Sequence, residues 1–222
     1  MKNNMNFLVA MVIATFSISA ATYAQTGTMT DIRDGSVYKT IKIGKQVWMT
    51  ENLHASVSSE GDSIPELKTN KEWRKSRSCG WCSYKSDPEN GLKYGYLYKW
   101  VAVNSCKLCP DGWHIPTYDE IVELQNYLGG EAVAGAKMKS TSGWKKYNKN
   151  NTNSSGFTAL PSGTRIYSGG FQGIRWEALF WTRTRNSQLH AVYLYRLTDD
   201  SKGLRLSPWM PDGAHSVRCI KD

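Results

Sequence analysis

Apolar and polar residues alternate from Val37 to Met49 on both sides of Gly44-Lys45. That period of two predicts a β-hairpin, and Asp34-Gly35 supplies a tight turn before it. Residues 55–92 are polar and rich in turn formers, including Pro65, Pro88 and Asn90-Gly91, and predict a long ordered loop region. Between Tyr94 and Val103, the residues Leu97, Trp100 and Val101 fall at helical spacing and predict a short buried helix. Thr117 followed three places later by Glu120 is a capping box, in which each side chain satisfies a backbone donor at a helix start. Ile121, Leu124 and Leu128 then share a face, and Gly129-Gly130 ends the helix. A second short helix is expected over Ala132–Lys139, and a mobile surface loop over 140–156, where Lys, Asn, Ser and Thr dominate. From Gly156 onward the pattern is β: Phe157–Leu160, Ala178–Thr182, Ala191–Leu197 and Ser216–Ile220, separated by connections such as Ser168-Gly169-Gly170. With no internal repeat, two helices followed by short strands predict an α+β fold.

The first residues change where this domain is expected to work. Lys2, the apolar stretch Phe7–Ala21 and Thr22-Tyr23-Ala24 read as a secretory leader spanning residues 1–24. Thr15, Ser17 and Ser19 dilute the stretch, and a membrane span needs roughly 20 apolar residues. No cysteine follows it to carry a lipid anchor, and no later segment is apolar enough to span. Residues 25–222 then fit one exported domain in the periplasm, at the cell surface or secreted. The chain carries a formal +9, or +8 once Lys2 leaves with the leader. Such a surface attracts anionic partners, and for an exported protein these are acidic polysaccharide, envelope material or lipid headgroups rather than nucleic acid. Nine Trp and twelve Tyr against five Phe favour half-buried positions where a ring packs and one polar atom finds a partner.

The five cysteines admit several chemistries. Cys79-Gly80-Trp81-Cys82 and Cys106-Lys107-Leu108-Cys109 are two C-x-x-C pairs, a spacing that can share one tetrahedral zinc. The 23 residues between them exceed the usual gap, and export favours disulfides. A redox role for Cys79 and Cys82 would need a helix start after a strand, whereas Ser83 to Gly91 is turn material. His54, His114, His190 and His215 lack short metal spacings. Asp111, Asp199, Asp200 and Asp212 could supply oxygen ligands to calcium, but the paired signatures of calcium-dependent sugar binding are missing. No Gly-x-Ser-x-Gly elbow appears, and neither a cofactor, a metal nor a catalytic residue is expected.

Several stretches together carry a family likeness. They are Asp31 to Leu53 around Val47-Trp48-Met49-Thr50-Glu51-Asn52-Leu53, Thr69 to Trp73, and Tyr94 to Trp100. Cys109 to Thr117, Gly156 to Arg165, Phe180 to Thr184 and Ser216 to Asp222 complete the set. In this order the chain resembles the Fibrobacter succinogenes major paralogous domain. The resemblance implies a C-type lectin-like fold, with two helices packed on short antiparallel strands and long loops in the second half carrying ligand contacts. It also implies a Cys109–Cys219 bond joining the helical region to the last strand. Cys79, Cys82 and Cys106 then remain, with Cys79–Cys106 and Cys82–Cys106 both open. The aromatic-Trp-Ser-Ser-Thr strand usual in the family reads Phe180-Trp181-Thr182-Arg183-Thr184 here. In such a fold Trp176, Trp181, Arg183, Arg185 and Trp209 would meet at the ligand end. The expectation is a non-catalytic binding or adhesion module for polysaccharide or another envelope or host surface component. The alternatives are a structural subunit of a surface complex, or an enzyme of the formylglycine-forming kind. That branch uses paired cysteines late in the chain, where only Cys219 lies here.

Overall fold

The computed structural model describes residues 25–145 and 151–222; the leader read over 1–24 lies outside the described residues. The predicted hairpin forms between β2 (Val37–Ile43) and β3 (Gln46–Met49), and an unforeseen strand, β1 (Thr26–Thr30), lies antiparallel on β2. Gly44 takes the turn at φ 63°, a conformation that favours glycine. The stretch 55–92 is more structured than its composition suggests. It contains α1 (Asn70–Lys75), β4 (Trp81–Cys82), a 3₁₀ turn at Tyr84–Ser86 and α2 (Pro88–Tyr94). α1 has its own capping box, with Thr69 and Glu72 exchanging hydrogen bonds across the first turn.

The helix predicted over 94–103 is divided. Leu97 lies in β5 (Leu97–Lys99), and α3 (Trp100–Ser105) begins directly after it. The helical spacing of Leu97, Trp100 and Val101 therefore straddles a strand–helix junction, and it is burial of the whole segment that produced it. After β6 (Trp113–His114), α4 (Tyr118–Tyr127) starts at the Thr117–Glu120 capping box as expected, and α5 (Glu131–Met138) follows. Ile121, Leu124, Leu128, Ala134 and Met138 of this pair join one apolar cluster with Trp48, Phe180, Tyr195 and Leu197.

Residues 146–150 of the predicted mobile loop lie outside the described residues. Within the remainder, Ser140, Trp144, Asn151 and Ser155 are buried, so that part is packed and not a free surface loop. The strand expected over Phe157–Leu160 reduces to a single bridge between Ala159 and Lys139. The extended segment comes later, as β7 (Ser162–Arg165), which turns into β8 (Phe171–Ile174). β9 (Glu177–Asn186), β10 (Ala191–Thr198), β11 (Arg205–Trp209), β12 (Ala214–Ser216) and β13 (Ile220–Lys221) complete the chain. The single strand predicted over 216–220 is split between two sheets. β13 belongs to the five-stranded sheet β1-β2-β3-β13-β6, whereas β12 belongs to the eight-stranded sheet β11-β10-β9-β7-β12-β5-β4, in which β8 pairs with β7. This mixture of sheets with separate short helices is α+β.

Two disulfides hold the arrangement, Cys109–Cys219 and Cys79–Cys106, and Cys82 remains a buried free thiol. Between β12 and β13, Arg218 is buried and donates to the carbonyls of Phe157 and Thr158 and to Asn52 Oδ1. Burial lowers its pKa to about 10.

Candidate functional site

The five residues expected to form one patch fall in different places. Arg185, Val192 and Trp209 lie opposite one another across β9, β10 and β11. Direct cross-strand partners share a face of the sheet, so Arg185 and Trp209 flank Val192 on one side. The Arg185 guanidinium sits 4.3 Å over the Trp100 ring, and the Trp209 ring is 39% exposed. Trp181 is a correction: it is fully buried, donates from Nε1 to the Tyr98 carbonyl at 2.8 Å, and packs edge-on against His215. It is a core pillar and cannot reach a ligand. Trp176 is exposed but precedes the other end of β9, nine residues from Arg185, roughly 30 Å away at strand rise. There it lies under Lys145 Nζ at 4.1 Å. Arg183 lines a separate cleft of about 490 Å³ with Val103, Trp113, His114 and Asp222.

A groove that sequence reading passed over is lined by none of these five residues, and meets them only where Met210 follows Trp209. Its volume is about 230 Å³, and its walls come from four parts of the chain. Trp73, Arg74 and Arg77 come from α1 and the residues after it, Lys99 and Val101 from the β5–α3 junction. Tyr167 comes from the β7–β8 turn, and Met210 to Asp212 directly follow Trp209. Trp100, the buried ring under the Arg185 guanidinium, directly precedes Val101 in α3. Tyr167 is 66% exposed and Met210 57%.

Local sequence explains how this groove is held. The Thr69 cap starts a helix only six residues long, so Trp73 turns inward while Arg74 and Lys75 fall at its carboxyl end, where cations are favoured by the helix dipole. Trp73 Nε1 donates to the Ile166 carbonyl at 3.1 Å, which docks α1 on the β7–β8 turn. Gly169 in that turn has φ 95°, and a Cβ there would stand 2.5 Å from Asn70 Oδ1, so the turn can approach α1 only with glycine.

Beneath the groove lies Arg165, fully buried. Its guanidinium donates to the carbonyls of Gly169, Leu67 and Lys68 and to Asn70 Oδ1. It stacks 4.5 Å from the Trp73 ring and 4.7 Å from the Phe171 ring. Lys99 Nζ is also 4.5 Å from the Trp73 ring, and donates to the carbonyls of Trp73 and Ser76 at 2.7 and 2.8 Å. Burial lowers the Lys99 pKa, and the neighbouring charges of Arg77 and Arg165 lower it further. The capping pattern Thr69-x-x-Glu72 was the signal in the sequence that could have revealed α1, and with it Arg74 and Arg77.

The groups that could do chemistry elsewhere are committed to packing. Burial pushes the Cys82 thiol up to about 11, which suppresses the reactive thiolate. His215 is buried, and its pKa falls to about 3 through burial. Thr164 Oγ1 donates to the Ala214 carbonyl and therefore accepts from His215 Nδ1 at 2.9 Å. His114 bridges Glu120 and Asp222 at 2.8 and 2.5 Å. Burial alone would raise the Glu120 pKa, but hydrogen bonds from Thr117 and His114 outweigh it and hold the carboxyl low. His54 packs on Tyr38. Asp111 and Asp212 line different clefts, and among the described residues no group of three or more His, Cys, Asp or Glu is placed to hold a metal ion.

Compared with known protein families, the chain matches the Fibrobacter succinogenes major domain over residues 41–221. No curated protein matches, and no solved structure matches.

Proposed function

We propose that this chain, which belongs to the Fibrobacter succinogenes major domain family, is an exported, non-catalytic binding module for polysaccharide or another cell-surface ligand, built on a C-type lectin-like fold. The lectin-like reading is supported by the way the first hairpin closes on the last strand, β3 against β13, with the two helices α4 and α5 beside it. It is also supported by the long second half, which contributes Tyr167 and the stretch Met210 to Asp212 to the groove. Export accords with the two disulfides and with the absence, among the described residues, of any helix long and apolar enough to cross a membrane.

One observation carries the binding reading: the exposed Tyr167 ring and the exposed Met210 stand on a groove whose walls hold Arg74 and Arg77. Rings of this kind stack on sugar faces, while guanidinium groups make forked hydrogen bonds to oxygen acceptors. A rigid frame around them limits the ordering cost of binding. The test is retention of the purified protein on a panel of immobilised polysaccharides, glycans and envelope fractions. Retention on at least one is expected, weakened about three- to tenfold by Tyr167→Ala, as stacking worth about 0.5–1.5 kcal/mol predicts. Failure to bind anything in the panel sinks the reading.

A further inference from the structure

The groove is strongly and unusually one-signed. Arg74, Arg77 and Lys99 line it, and the buried Arg165, like Lys99, lies 4.5 Å from the ring of Trp73 on its wall. Among the described residues none of these four cations forms an ion pair, although Arg33, Lys68, Lys107 and Arg196 each pair with a carboxylate elsewhere. Arg165 and Lys99 are held instead by backbone carbonyls and one amide oxygen, which satisfy their donors without cancelling their charge. Asp212 is the single carboxylate on the groove wall. On the wall, three positive groups stand against one acid, and Lys99 is fixed in a partly desolvated position, which creates a positive field that water screens poorly. A neutral sugar would draw nothing from that field. The exposed Arg74 and Arg77 offer planar forks that match carboxylate and sulfate.

Resting on the binding reading above, we infer that the ligand of this groove is an acidic polysaccharide. Its carboxylate or sulfate groups are taken by Arg74 and Arg77, and its sugar rings lie against Tyr167 and Met210. The shared chemistry is an anionic oxygen group repeated along a sugar chain, and two sources provide it: uronic acids and sulfate esters.

The experiment uses matched pairs that differ only in charge: polygalacturonate against its methyl ester, and dextran sulfate against dextran. Affinities are measured with the full exported protein at about 50 and 200 mM salt, a range over which surface attraction is progressively screened. The expected result is at least tenfold tighter binding to one acidic member than to its neutral partner, weakened at the higher salt. Whichever pair shows it identifies carboxylate or sulfate as the group recognised. Arg74→Gln/Arg77→Gln should remove at least tenfold of that affinity. Both side chains are exposed, so an unchanged melting temperature checks that the fold survives. A control pair, Lys42→Gln/Lys221→Gln, removes the same charge from exposed sites on the five-stranded sheet and should leave binding within about twofold. Equal binding to acidic and neutral members, or equal losses in the groove and control variants, overturns the inference while leaving a binding module standing. Absence of binding to every polymer, acidic or neutral, removes the binding reading and this inference with it.

Discussion

His215 shows how much one buried side chain can dictate here. Its ring lies between Trp181 and Trp209, with Thr164 as its hydrogen-bond partner, and no acid lies among these neighbours. The folded chain holds it neutral down to about pH 3, whereas an exposed histidine takes up a proton near 6.5. Between those values the unfolded chain binds the extra proton, so stability falls as pH drops through 6.5 toward 3. Asp31 and Glu120, whose pKa values are also lowered, add losses of the same sign in acid. The decisive measurement is therefore a difference. Denaturant unfolding at pH 7, 5 and 4 should show His215→Phe losing less stability on acidification than the wild type, by up to a few kcal/mol. Parallel pH profiles would refute this role. Cys82 makes a second prediction at this scale. With its thiol fully buried and its pKa at about 11, it should resist a thiol reagent at pH 8 for hours in the native protein and react within minutes once unfolded. Fast native labelling would contradict the structure. Neither behaviour could be read from sequence, where a histidine or cysteine shows its type but not its depth.

Among the elements, those written in local code were legible. The hairpin of β2 and β3, the capped helix α4 and the helix α5 follow from periodicity, turn glycines and a capping box, each a property of neighbours within a few residues. The elements that were misread depend on distant partners. Leu97 becomes a strand residue because β12 and β4 flank it, and 216–220 divides because Ser216 pairs with Leu97 while Ile220 pairs with Trp48 and His114. Gly135 illustrates the same conflict in a testable form. Inside α5, alanine should gain about 1 kcal/mol of helix propensity over glycine. The added Cβ, however, would stand 2.0 Å from the backbone oxygen of Gly203, and backbone cannot step aside as a side chain can. Gly135→Ala is therefore expected to destabilise by about 1–3 kcal/mol, the cost of overpacking. A raised melting temperature would show that α5 does not pack as described.

For the molecule as a whole, the Cys109–Cys219 bond spans 110 residues and joins the segment before α4 to the last turn of chain before β13. Closing a loop of that length in the unfolded state is worth about 4–5 kcal/mol in the chain-entropy account. Cys109→Ala/Cys219→Ala should lower unfolding free energy by about 2–5 kcal/mol, and a loss under 1 kcal/mol would show that the two sheets hold each other without the bond. The candidate site obeys the same division as the elements. None of the five residues expected at the ligand end lines the groove, whereas the chain order, the capping boxes, the basic charge and the family were all present in the sequence, because each rests on residue type or on near neighbours. Which tryptophans face water, which arginines stand together and which cysteine stays free were settled by tertiary structure alone. Those facts depend on packing between residues such as Trp73, Lys99 and Arg165, up to 92 positions apart, and burial and uncompensated charge exist only once such residues are in contact.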